Sequence, residues 1–267
     1  SDWDGIDTWW GLCHAWTPAS IIEEEPTYPI VVKDITFYPS DLKALMITIY
    51  DYSRAVVIGG RCKVQQVERD ENGRILDPNC RDTNAGTFHV IMANFLGRYN
   101  MAFAEDRTYN DQVWNQPVDS YEVDRAEEIT ESEAMALLVE GGGDTYTFND
   151  EAVRWAEVEV TLKYVTESYP SQEPRLPNHS AYLRDDRYHY VLEMDVDGLI
   201  IGGEWIQAGV NGPLGGFSNQ PDFLWMPIGP ASNPTATPNG TPDPRRNPHL
   251  SYTKVSNLFE QARYAPT

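Results

Sequence analysis

Cysteine is scarce, with three in 267 residues, and basic residues are outnumbered 20 to 41 by acidic ones, for a formal net charge of −21. Three cysteines cannot build a disulfide-dense scaffold, and an odd count leaves at least one thiol without an intramolecular partner. A chain this acidic repels phosphate backbones and anionic lipid surfaces, which argues against nucleic acid and membrane as partners. No apolar run approaches the roughly 18 residues of a membrane-spanning helix, and no secretory leader opens the chain. The length does allow one large domain with a substantial core, so residues 1–267 are read as a single unit.

Chemistry concentrates in Trp9-Trp10-Gly11-Leu12-Cys13-His14-Ala15-Trp16, followed by residues of helical composition, 17–24. This spacing predicts Cys13 at or near a helix N-terminus. Unpaired N–H groups and the positive end of the helix dipole favour thiolate there, and the thiolate is the nucleophilic form. Cys62 and Cys80 flank a polar, turn-rich loop, and bridging them would stabilise the fold by roughly 3 kcal/mol. That pairing leaves Cys13 free and suits an exported enzyme with a cysteine nucleophile.

Periodicity organises the rest. Residues 28–37 read as a strand, Ser40 as an N-cap, and Leu42, Leu45, Met46, Ile49 and Tyr52 as the apolar stripe of a helix. Residues 55–58 and 61–67 read as strands around Gly59-Gly60. Residues 87–96 read as a strand carrying His89, antiparallel to residues 100–105, a strand that ends at Asp106. Thr130 and Glu133 form a capping box, residues 155–165 and 188–195 alternate as half-buried strands, Asp197-Gly198 turns the chain, and residues 255–262 close as a helix. Residues 228–249 form a proline-rich irregular segment. Asn178 and Asn239 open glycosylation sequons. Asp70-Glu71-Asn72-Gly73 is a turn that lacks the ligand series of a calcium loop.

A histidine and an aspartate on neighbouring strands supply the base and its orienter for a cysteine nucleophile, so the order Cys13, His89, Asp106 reads as a triad. His14 is set aside because adjacent helical residues do not face each other. Beside the Cys13 N–H, an indole from Trp9 or Trp10 is expected to complete the oxyanion site, because Asp7 upstream carries no donor. Trp16, with these two, would wall a channel that keeps water from a thioester.

Asp106-Arg107-Thr108 followed by Val113-Trp114-Asn115-Gln116-Pro117-Val118 resembles the oomycete elicitor-type transglutaminases, which also have relatives in marine bacteria. Gly11-Leu12-Cys13-His14-Ala15-Trp16, Ile201-Gly202-Gly203-Glu204-Trp205 and Pro221-Asp222-Phe223-Leu224-Trp225 are similar to further segments of that family, in the same order. The resemblance implies an α+β fold with a papain-like or transglutaminase-like core, its cysteine helix packed on an antiparallel sheet. It implies acyl transfer from a protein glutamine to a lysine amine, a secreted setting, and partners that are proteins bearing Gln and Lys. Family members extend further upstream of the nucleophile, which makes an N-terminal portion of its own a further expected partner and the chain a processed catalytic part. No metal ligands are assigned, and calcium stays open as a cofactor. The same triad would serve a cysteine peptidase or amidase, and a non-catalytic interaction protein on the same fold is a third reading.

Overall fold

The computed structural model describes residues 10–71, 74–81, 83–170, 179–206, 220–231 and 247–264. Most of the segment 228–249, the asparagines of both sequons and the Asn72-Gly73 end of the acidic turn lie outside the described residues. Helix α1 (Cys13–Ile22) is followed by a hairpin of β1 (Ile30–Val32) and β2 (Ile35–Phe37), then α2 (Pro39–Tyr50) and β3 (Arg54–Gly59). The expected single strand over 28–37 is a hairpin because Lys33 and Asp34 take the left-handed conformation, at φ 50° and 63°, that closes a two-residue turn. Helix α2 starts at Pro39, earlier than Ser40 suggested, with the Asp41 carboxylate accepting from the Tyr38 N–H at 2.9 Å. Residues 61–67 form no strand.

The next element corrects the sequence reading. Residues expected as a strand form helix α3 (Ala85–Met92) and a π-helical turn over Ala93–Arg98. Asn84 caps it, its side chain accepting from Gly86 N and Thr87 N. Phe88, Ile91, Met92, Phe95 and Leu96 recur at helical spacing, and this packing overrides the β-branched composition.

Strands β4 (Phe103–Asp106) and β5 (Asn115–Ile129), helix α4 (Glu131–Leu138), and strands β6 (Arg154–Val165), β7 (Leu183–Met194), β8 (Ile200–Trp205) and β9 (Phe223–Gly229) precede the last helix, α5 (Tyr252–Ala262). The Thr130–Glu133 capping box and the Gly198 turn, at φ +79°, are as expected. Seven strands form one antiparallel sheet in the order β3-β9-β4-β5-β6-β7-β8. Late in the chain, β9 inserts between β3 and β4, a long-range pairing that local pattern cannot reveal.

The main core gathers around Phe88 of α3. It draws Leu224, Phe103, Val118, Val158, Val160, Tyr188 and Tyr190 from successive strands, so the sheet curls about this helix. Glycine makes the approach of α3 to β8 feasible: a Cβ on Gly86 would lie 2.3 Å from the Gly202 carbonyl oxygen. The second core joins α1, α2 and α5 through Ala19, Leu42, Met46, Ile49 and Phe259. Alternation along the strands decides which layer meets which face. Phe103 and Val118 face α3, as does Glu105 through its bond from Tyr188, so their neighbours Ala104, Asp106 and Asn115 face the other way, toward α1. The fold is therefore a mixed α and β architecture with a curled antiparallel sheet between two helical layers.

Candidate active site around Cys13

Cys13 is the first residue of α1, and Leu12 is its N-cap. The first intrahelical bonds run from Ala15 N and Trp16 N to the Leu12 carbonyl, so the N–H groups of Cys13 and His14 precede the helical ladder and point out of its open end. Pro18 sits in the helix without breaking it. Thr17 anchors α1 to the sheet by donating its hydroxyl to the Asn115 carbonyl at 3.0 Å.

Asn115 is the hub of the site. Its Nδ2 donates to Cys13 Sγ at 3.5 Å, and its Oδ1 accepts from the Trp225 indole at 2.8 Å, which fixes the amide orientation. The thiol in turn donates to the Val113 carbonyl at 3.6 Å. Burial, the largest single influence on Cys13, pushes its thiol up. Hydrogen bonds with His14 and with the Asn115 backbone and side chain, together with the charge interaction with His14, outweigh it, and the thiol sits below its ordinary value.

His14 Nε2 lies 2.6 Å from Asp51 Oδ1, at the C-terminal end of α2. His14 thus stands between the Cys13 thiol, whose ionisation it favours, and the Asp51 carboxylate that holds it. The sequence argument against His14 fails because both residues lie in the open first turn and interact there. Among the described residues, a crevice of about 670 Å³ at this point is lined by Trp10, Cys13, His14, Val113 and Asn115, with Arg61, Lys63 and Asp111 as its other charged residues.

His89 is not part of it. It sits on α3, its Nδ1 within 2.8 Å of the Tyr190 hydroxyl, and Tyr190 belongs to the core face that surrounds Phe88. The sheet stands between that imidazole and Cys13, whose partner Asn115 is on the opposite face. Burial lowers the His89 pKa, keeping the ring neutral.

Asp106 lies on the Cys13 face but does not orient His89. Its Oδ1 accepts from Trp114 N at 2.8 Å and, more weakly, from Thr108 N and Oγ1, and so shapes the loop that delivers Val113 and Asn115 to the thiol. Burial raises its pKa to about 7, and its buried Oδ2 has no hydrogen-bond partner.

The tryptophans divide. Trp10, 58% exposed, lines the Cys13 crevice, Trp16 lines a separate groove together with Leu12, and Trp9 is outside the described residues. Cys62 and Cys80 are disulfide-bonded and Cys13 is free, as the odd count suggested. Asp70 Oδ1 accepts from Arg74 N, the behaviour of a turn residue. A grouping with metal-ligand spacing, Glu157, Glu159 and His189, lies on β6 and β7, where Arg125 already approaches Glu157 at 3.1 Å.

Sequence reasoning missed Asn115, Trp225 and Asp51. Asn115 and Trp225 stood inside segments of family resemblance, and only the β9–β4–β5 pairing shows why: Trp225 and Asn115 both neighbour β4 on the face that meets α1. Asp51 carried no signal beyond its place at a helix end.

The chain is 33% identical to the GP42 transglutaminase from Phytophthora sojae, whose crystal structure it matches with a TM-score of 0.73 over 97% of its own length. It spans 64% of that relative's chain. No curated protein gives a significant match. The transglutaminase elicitor family profile matches residues 3–264, nearly the whole chain. The chain belongs to the transglutaminase elicitor family.

Proposed function

We propose that this protein is a protein-glutamine γ-glutamyltransferase in which Cys13 is the nucleophile, His14 the acid and base, Asp51 its orienting carboxylate and Asn115 the group that steadies sulfur and oxyanion. The observation that carries the reading is a thiol of lowered pKa at the open end of a helix, hydrogen-bonded by Asn115 and coupled to a histidine held by a carboxylate. A papain-like logic, with a nucleophile helix packed on an antiparallel sheet, is part of this proposal.

In the first half-reaction, Cys13 Sγ bonds to the glutamine carboxamide carbon. The oxyanion is met by the Cys13 N–H and Asn115 Nδ2. As the carbon–nitrogen bond breaks, the nitrogen takes a proton from His14 and leaves as ammonia. In the second, a neutral lysine amine attacks the thioester, its surplus proton passes to His14, and the carbon–sulfur bond breaks to return the thiolate. Asp51 holds the imidazole in the tautomer that presents its other nitrogen to sulfur. The His14 side chain is 48% exposed, so its contribution should sit toward the lower end of the roughly 10²–10⁴-fold range of general acid–base groups.

An extracellular setting is part of the proposal, supported by the Cys62–Cys80 disulfide, which persists in oxidising compartments. The test is incubation with a glutamine peptide and a primary amine, with ammonia and the conjugate both quantified. Amine incorporation that vanishes in Cys13→Ala is expected. Backbone cleavage without incorporation would favour a peptidase. Neither product, with Cys13 inert to thiol reagents, would favour an interaction protein.

A further inference from the structure

The chain that leaves the Cys13 crevice at Lys63 enters a segment outside every strand. Cys62 anchors it, its N–H donating to the Asp222 carboxylate at 2.7 Å and its sulfur bridged to Cys80. Val64 and Val67 pack against the Cys62–Ile75–Cys80 cluster, and between them Gln65 and Gln66 form an exposed bend. Among the described residues, no hydrogen bond holds the backbone or the carboxamide of either glutamine. Past the bend the loop closes on itself through the Arg69–Ile75 bridge and a 3.0 Å bond from Leu76 N to the Glu68 carbonyl. The other described glutamines are less available. Gln116 and Gln220 are buried, Gln112 accepts from the Trp114 indole, and Gln261 lies in α5 with its amide donating to the Asn257 carbonyl at 3.1 Å.

We propose that Gln65 and Gln66 are acyl donors to Cys13 of a second copy, which makes this bend a self-modification site. The inference rests on the transferase reading and names a protein substrate for its first half-reaction. A donor carboxamide must enter the crevice and present its carbon to sulfur, and these two side chains have no bond to break and no ladder to leave before doing so. Their own copy does not take them, because Lys63 lines the crevice and neither glutamine does. Two residues of chain span at most about 7 Å, so the bend stands at the rim, and the two valines keep it there. A twofold contact that sets two crevices face to face carries each bend to the other copy's thiol. Cys13 Sγ of one copy then bonds to Cδ of the other copy's glutamine, the carbon–nitrogen bond breaks, and Nε2 leaves as ammonia with a proton from His14. A primary amine displaces the sulfur and gives its surplus proton to His14. The net charge of −21 on each copy opposes lasting association, and the transfer needs only an encounter.

The test mixes isotope-labelled unaltered protein with unlabelled Cys13→Ala protein and a biotinylated primary amine, and maps both by peptide mass spectrometry. The Cys13→Ala copies hold no nucleophile, yet they should gain the probe at Gln65 or Gln66, each modified peptide heavier by the probe and lighter by ammonia. Placing Gln65→Asn with Gln66→Asn in those copies should lower the gain about a hundredfold, because a carboxamide one methylene short misses the attack position by roughly 1 Å. Probe found only on the isotope-labelled copies would make the transfer intramolecular and overturn the proposal. Probe confined to other glutamines would overturn it as well, and neither result needs the asparagine variant to fold. A glutamine peptide in the same mixture separates this inference from the reading beneath it. Peptide modified while Gln65 and Gln66 stay intact defeats self-modification alone, whereas no probe on the peptide or on either glutamine defeats the transferase reading and this inference with it.

Discussion

Replacing Asn115 by alanine removes one donor from Cys13 Sγ and one acceptor from the buried Trp225 indole. A hydrogen bond to a charged group contributes about 1.5–3 kcal/mol, and at 3.5 Å to sulfur the lower figure applies. That amounts to about a tenfold smaller thiolate fraction at any pH below the titration midpoint. A more basic thiolate is intrinsically faster, by about threefold for the same change, so the net loss there is only about threefold. Above both midpoints the variant should react about threefold faster than the parent. The two pH–rate curves for iodoacetamide alkylation must therefore cross, which loss of folding would not produce. Stability should fall separately, by about 1–3 kcal/mol, because Trp225 Nε1 loses its partner. Asn115→Asp supplies an acceptor again and should recover much of that stability, while its charge slows alkylation further at neutral pH. Superimposable pH–rate curves for the parent and Asn115→Ala would refute the role given to Asn115.

His14→Ala should lower amine incorporation about a hundredfold, and Asp51→Asn by about tenfold, whereas His89→Ala should leave kcat nearly unchanged; a steady-state comparison on one glutamine peptide checks all three. Glu105, fully buried, has its pKa raised by burial and by Asp186 from 4.5 to about 8, so the folded state holds a proton that the unfolded state releases. That stabilisation is complete below about pH 4.5 and is lost as pH rises through about 8; urea unfolding across this window should show it, and Glu105→Gln should flatten the dependence. Reducing Cys62–Cys80, or replacing both by serine, should cost roughly 3 kcal/mol in the same unfolding assay without removing the free thiol titre of Cys13.

Part of this is legible in the sequence. Cys13 at a helix start followed from the composition after it, and the strand over Arg154–Val165 from strict alternation, because both signals are local. Even there, Glu157, one of the polar alternates of a strand read as half-buried, is buried and bonded to His189 at 2.8 Å. The reading of His89 failed at secondary structure. The composition of residues 87–96 reads as a strand, while the Asn84 cap and the spacing of Phe88, Ile91, Met92, Phe95 and Leu96 make a helix. Once that segment is helical, the neighbouring-strand argument for a His89–Asp106 pair has no geometry behind it. Asn115 and Trp225 are 110 residues apart and meet only through the insertion of β9. Their pairing is a product of topology, and no local period encodes it. The pairing of His14 with Asp51 likewise depends on how α1 and α2 pack.

The central claim is acyl transfer through Cys13, and mass spectrometry of one reaction tests it most directly. With a glutamine-bearing protein and a primary amine probe, the account predicts a product heavier by the probe and lighter by ammonia, an intact backbone, and no product with Cys13→Ala. Backbone cleavage, or incorporation that survives Cys13→Ala, would contradict it.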